Sequence, residues 1–196
     1  MDYLLALLQG LGIAAAIGIR PFLPTLFVGA LAAGDIGLDY EGTDFAFLEQ
    51  TGFLLAIVVA VAVFGIIDRR RHGDTTGQGP VVVMLLICSL GLGALSASGS
   101  IADVSADWWP GVPIGVAAAS LGFMAARSLF GRVSARLDDE AAKALPLYAE
   151  GAALLAAGIS VLFPPLAVLV AGALAWLLIG GRRRAGEKYA GLRILR

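Results

Sequence analysis

At 196 residues the chain has the length of one soluble domain, yet 59% of it is hydrophobic, 26 residues are glycine and only 15% are charged. A soluble domain carries about 45–50% apolar residues with glycine included and about 25% charged ones, so the apolar surplus here requires lipid as part of the solvent. A net charge of −1, a single cysteine and a single histidine exclude a nucleic-acid binder, a disulfide-stapled module and a usual zinc site.

Five apolar stretches follow in chain order and predict one integral-membrane domain over 1–196, an all-α polytopic helix bundle. The first covers about 3–33 and is interrupted by Arg20-Pro21-Phe22-Leu23-Pro24. Only Asp2 precedes its apolar run, with no basic leader, so it is read as a membrane segment and not as a cleaved signal. It is either a broken single crossing or a hairpin entering from outside. The second (52–67), third (80–97) and fourth (109–130) stretches are uninterrupted, with Arg127 near the end of the fourth. The fifth, 148–180, is interrupted by Phe163-Pro164-Pro165. As one straight helix it would be ~50 Å long at 1.5 Å per residue, well beyond the ~30 Å hydrocarbon layer. Proline removes a helix N–H and pushes the preceding residue out of the helical region, so a break is expected at Phe163. A hairpin entering from the cytoplasm is favoured over a single kinked helix.

Charge sorts the connections. Asp35, Asp39, Glu41, Asp44 and Glu49 fall between the first and second stretches, and Asp103 and Asp107 between the third and fourth, with no Lys or Arg among them. Arg69, Arg70 and Arg71, then Arg132, Arg136 and Lys143, then the tail 181–196, are basic. Basic short loops mark the cytoplasmic side, so the chain is read as a multi-pass inner-membrane protein with a cytoplasmic C-terminus and with Trp108 and Trp109 at the outer interface. The fifth stretch, basic on both flanks, fits only if it turns back.

Few residues carry candidate chemistry. Arg20 is the charged side chain deepest in an apolar stretch, beside Pro21 where backbone carbonyls lose their donor. It either snorkels and neutralises those carbonyls, or forms an anion site or gating salt bridge. Glu150 is either an acid favourable with its helix N-terminus or a counter-ion to Arg20 or Arg127. In a simple crossing that starts inside, Arg20 would lie ~25 Å from the inner face, so pairing with Glu150 requires a re-entrant segment. The candidate ligand or gating set is Arg20, Pro21, Phe22, Pro24, Glu150, Phe163, Pro164 and Pro165, with Arg127 as an inner-interface anchor. His72 reads as a solvated loop residue, Cys88 as a small packing residue, and Asp138-Asp139-Glu140 as a solvated helix face. There is no metal motif, phosphate loop or nucleophile–base pair, so neither a cofactor nor an enzymatic activity is expected.

Short parallels between the broken stretches, Gly12-Ile13 with Gly158-Ile159 and Gly29-Ala30-Leu31 with Gly172-Ala173-Leu174, hint at an internal repeat. Interrupted segments in opposite halves of a chain point to transporter sites.

The run Gly12-Ile13-Ala14-Ala15-Ala16-Ile17-Gly18-Ile19-Arg20-Pro21-Phe22-Leu23-Pro24 resembles the opening motif, small residues then Gly-x-Arg-x-Phe-x-Pro, of the bacterial membrane family known as domain of unknown function 4126 (DUF4126). Phe47-Leu48-Glu49 with Asp68, and Glu150 followed by Phe163-Pro164-Pro165-Leu166, are similar to its second helix and final region. Family members often carry an acid late in the second helix, where this chain has Phe64. The resemblance implies the membrane fold and no activity. The function expected from the residues is a small transporter or channel, homo-oligomeric in the bilayer, for a small anion or other small solute. The alternative is a non-transporting scaffold, assembly or lipid-binding module.

Overall fold

A computed structural model describes residues 2–70, 79–134 and 144–190. Among them are seven α-helices and no strand: α1 (Asp2–Ile19), α2 (Phe22–Ala32), α3 (Thr51–Arg70), α4 (Pro80–Ala102), α5 (Gly111–Ser134), α6 (Leu145–Leu162) and α7 (Ala167–Ala190). Four of these, α1, α4, α5 and α6, are long and apolar enough to cross a membrane, while α2 and the apolar parts of α3 and α7 are shorter. His72, Arg136, Asp138-Asp139-Glu140, Lys143 and the end of the basic tail lie outside the described residues.

Both expected breaks are present. Helix α1 ends at Ile19 and α2 begins at Phe22, because Pro21 brings no N–H to the carbonyl of Ile17. Helix α6 ends at Leu162, and a 3₁₀ turn at Pro164–Leu166 leads into α7. Phe163 leaves the helical region, at φ −136° and ψ 72°, as expected of a residue before proline.

Each break reverses the chain. Past α2, the carbonyl of Gly37 accepts the Gln9 amide at 2.7 Å, so α2 has returned to the middle of α1. The α6–α7 turn sits against α1 at Gly12, where an added Cβ would meet Ser160 and, at 2.6 Å, Ala167. From there α7 descends until the carbonyl of Leu177 receives Arg132 of α5. Neighbouring contacts give the remaining directions. Gly29 meets Leu54 and Phe22 meets Phe64, so α3 is antiparallel to α2. The seven helices therefore run alternately up and down. The ends of α3, α5 and α7, whose sequences turn basic, share one end of the bundle, and the acidic connection between α2 and α3 lies at the other.

Helix α1 is the axis. Residues 13–17 are completely buried, and the helix touches α4, α5, α6 and α7. Rows of small residues four apart make this possible. Gly10 lies against Ala97 and Ala14 against Gly93, while on α4 Gly93 and Ser98 face Gly115 and Gly111 of α5. Such close backbone approach lets van der Waals packing between helices hold the bundle together.

The connection at 33–50 is folded over the acidic end. Leu38, Tyr40, Phe45 and Leu48 are buried beneath it, and Phe45 meets Trp108 edge-on at 5.3 Å. Gly37 and Gly42 take positive φ, and Gly37 needs its bare Cα because Val161 would stand 3.0 Å from a Cβ.

Candidate functional site

The deep tip of the α1–α2 hairpin brings opposite charges together. Arg20 follows the last turn of α1, its N–H still bonded to the carbonyl of Ala16 at 3.3 Å. Its Nε lies 3.8 Å from Oε1 of Glu150, the side chains being 14% and 31% exposed. Because α1 and α6 are antiparallel, Arg20 meets Glu150 at one end of their contact while Gln9 meets Val161 at the other. The reversal at Pro21 removes the depth conflict of a simple crossing.

The surroundings of this pair are built by the break itself. Thr25 donates its hydroxyl back to the carbonyl of Pro21 at 2.6 Å, so the buried hydroxyl is itself satisfied within the first turn of α2. Pro24 is fully buried, and Phe22 stacks on Phe64 with centroids 4.6 Å apart. Gly18 lies directly on the Ala119 backbone of α5. Arg127 is placed with its guanidinium 5.6 Å from the ring centre of Phe123, seven residues before the end of α5.

The second break lies elsewhere. Phe163 is 60% exposed, and the turn packs at the level of Gln9 and Gly12, about 12–16 Å along α1 from Arg20 at 1.5 Å per residue. Of the candidate set, the structure unites Arg20, Pro21, Phe22, Pro24 and Glu150; it does not bring Phe163, Pro164 and Pro165 to them.

Sequence reasoning passed over Gln9, the one amide in α1. It donates to both Gly37 (2.7 Å) and Val161 (3.1 Å) carbonyls. Its signal was a lone polar side chain in an apolar helix. Also passed over was Tyr40, which lies on Gly99 of α4. Burial holds its phenol above the ordinary range, Ser100 opposing and Glu49 and Asp103 adding to the rise. Ser89 and Ser98 are buried with no hydrogen-bond partner for their hydroxyls among the described residues. No group of three or more metal-ligating side chains occurs among the described residues.

No family model, curated protein or solved structure matches the chain.

Proposed function

We propose that the chain is a small inner-membrane transporter or channel for a small anion or other small solute, gated by the Arg20–Glu150 pair. The carrying observation is that pair, 3.8 Å apart and only partly exposed at the tip of a Pro-broken hairpin. Ionisable side chains at membrane depth are costly and mark pathways more often than scaffolding. Two hairpins packed antiparallel support the same reading, since transporter sites are built on discontinuous helices in opposed halves. In the membrane orientation that follows, basic ends are cytoplasmic, the acidic 33–50 cap and the N-terminus are outside, and α1–α2 is re-entrant from the outer face. Membership of the DUF4126 family, on the Arg20–Pro24 and Glu150 motifs, and assembly as a homo-oligomer belong to this proposal.

Liposomes containing only the purified protein test it, with chloride and glycerol as separate probes. Flux of either above protein-free vesicles, altered by Glu150→Gln, is the expected result. Correctly folded protein that passes neither solute overturns the assignment for these probes and favours the second reading. That reading is a non-transporting assembly module, and the observation in its favour is the backbone-tight α1–α4–α5 packing.

A further inference from the structure

We propose that the acidic end of the bundle holds a divalent cation, magnesium or calcium, between Asp39 of the 33–50 connection and Asp103 at the end of α4, with Glu49 and the Tyr40 phenol beside it. Two distant parts of the chain meet there. Tyr40 is 1% exposed, and its ring lies along Gly99 of α4, with Cε1 2.8 Å and Cζ 3.3 Å from where a Cβ would stand. Asp103 comes one helical turn after Gly99, and its N–H still bonds to the Gly99 carbonyl at 3.2 Å. Residues four apart share a helix face, so Asp103 stands on the face that Tyr40 covers. Asp39 immediately precedes Tyr40, and Oε2 of Glu49 accepts the Tyr40 N–H at 3.2 Å. Folding of the connection onto α4 therefore gathers three carboxyl groups around one buried ring.

The chain does not neutralise these charges itself. Residues 33–50 and 99–110 contain no Lys, Arg or His, and none of the three acids makes an ion pair among the described residues. The groups also sense one another. Asp39 adds to the rise of the Asp103 carboxyl, and Glu49 and Asp103 add to that of the Tyr40 phenol. An independent sign comes from the phenol oxygen. It is buried and makes no hydrogen bond of good geometry among the described residues, while Ser100 beside it gives its own proton to the Ser96 carbonyl at 3.0 Å. A buried polar oxygen left in this way calls for an ion or for the water that an ion carries.

Oxygen donors alone select a hard cation. No group of three metal-ligating side chains forms among the described residues. That fits an ion which keeps part of its water and is held through one or two carboxylates, the habit of magnesium and within the flexible geometry of calcium. Asp39 and Asp103 belong to opposite sides of the contact, so the ion ties the connection to α4. The same connection reaches α6, where Gly37 lies against Val161. An ion at Asp39 and Asp103 therefore fastens the piece that closes this end of the bundle. The inference holds with or without solute flux, so its test is independent of the liposome assay.

Thermal midpoints of the purified protein in detergent, stripped with EDTA and dialysed, decide it. Millimolar magnesium or calcium should raise the midpoint by several degrees over sodium chloride of equal ionic strength. The rise should grow with the logarithm of ion concentration, as binding to the folded state alone requires. Asp39→Asn and Asp103→Asn should each remove most of it, while Asp107→Asn, which deletes a charge at the same end, should leave it in place. Terbium, a luminescent substitute for calcium, should be excited through Tyr40 or through Trp108, which meets Phe45 of the connection, and should be chased out by calcium. Equal midpoints in the divalent and sodium salts overturn the site, and so does wild-type protein that gives no terbium luminescence. A divalent effect that survives both Asp39→Asn and Asp103→Asn, or that Asp107→Asn abolishes equally, is general screening and overturns it too.

Discussion

The Gln9 side-chain amide donates to the carbonyl of Val161 at 3.1 Å, and Val161 is the residue whose helical donor would have been the N–H of Pro165. A side chain from the first hairpin thus replaces the hydrogen bond that proline removes from the second. The same amide holds Gly37 at 2.7 Å. Gln9→Met strands the Val161 carbonyl in a buried setting, at a cost of about 1–3 kcal/mol, while the carbonyl of the exposed Gly37 can turn to solvent and adds little. Pro165→Ala restores a donor to Val161, so the loss caused by Gln9→Met should be smaller in the Pro165→Ala background. Melting midpoints in detergent for the four proteins check this, and strictly additive losses would show that the two positions are uncoupled.

The glycines divide into two populations whose substitutions should separate cleanly. Gly18→Ala and Gly122→Ala push a methyl into the carbonyls of Ala119 and Ala15. Backbone must move to receive it, so each should destabilise by about 1–3 kcal/mol or more. Gly65 on α3 and Gly151 on α6 have nothing within 4 Å. There alanine relieves the helix of about 0.5–1 kcal/mol of glycine's entropic cost, and stability should hold or rise. Thermal midpoints of the four single variants suffice; equal losses at all four would contradict the packing described.

The positions of both breaks were legible in the sequence because proline acts locally: Pro21 and Pro165 each remove a definite donor. The direction of the chain after each break was not. Kinking and reversing look alike over ten residues, and the choice at Pro21 is made by contacts distant in sequence, Gln9 to Gly37 and Phe27 to Gly158. Basic flanks on both sides of the fifth stretch did carry the reversal, because charge reports on which end of the bundle a segment reaches. Pairing of Arg20 with Glu150 was open for a related reason. Depth counted along a straight crossing separates them, whereas the reversal at Pro21 puts Arg20 at a tip. The small-residue rows of α1, α4 and α5 were visible as composition, but which row faces which depends on the bundle.

The alternating helix directions carry a prediction about sides. Cysteines at Tyr3 and Glu41 should label from the same face in a Cys88→Ala background, and one at Gly186 from the opposite face. Labelling of the Tyr3 and Gly186 sites from one face would contradict either the reversal of α2 or that of α7.

Asp103, just past the end of α4, has its carboxyl raised above the usual range, first by burial and then by the charge of Asp39. A carboxyl raised in the folded state binds its proton more firmly there than in the unfolded chain. Its contribution is therefore fully present below the unfolded value, about pH 4, and is lost as pH rises through the folded value. Wild-type stability should fall slightly across that interval, and Asp103→Asn should flatten the fall. Asp39→Asn should lower the upper edge of the interval without abolishing it, since burial is the larger cause. Denaturation midpoints between about pH 4 and 7 read the difference. The effect is small because Asp103 is withdrawn from solvent only in part.

The Arg20–Glu150 pair yields the sharpest test. Its geometry is a single approach of 3.8 Å between side chains 14% and 31% exposed, so both charges are partly removed from solvent while Glu150 keeps some access to it. Removing one partner of a fully buried pair costs about 3–5 kcal/mol, mostly because the other charge is left behind. Partial exposure places this pair below that range, so each of Arg20→Met and Glu150→Gln should cost about 1–3 kcal/mol. Arg20→Met keeps an apolar stem of similar reach and deletes five donors; Glu150→Gln keeps shape and deletes charge. If the pair is the reason each charge is tolerated at this depth, the double variant should be more stable than the sum of single losses allows. A coupling above about 0.5 kcal/mol is the expected reading for groups in contact. Salt supplies a second discriminator, because a pair within the bundle is screened far less than a surface one. The coupling should survive a rise from 0.1 M to 1 M salt, conditions under which the Debye length shrinks from about 10 Å to about 3 Å. Additive losses, or a coupling that vanishes in high salt, would mean that the two charges are not held as a pair and would remove the observation on which the proposed gate rests.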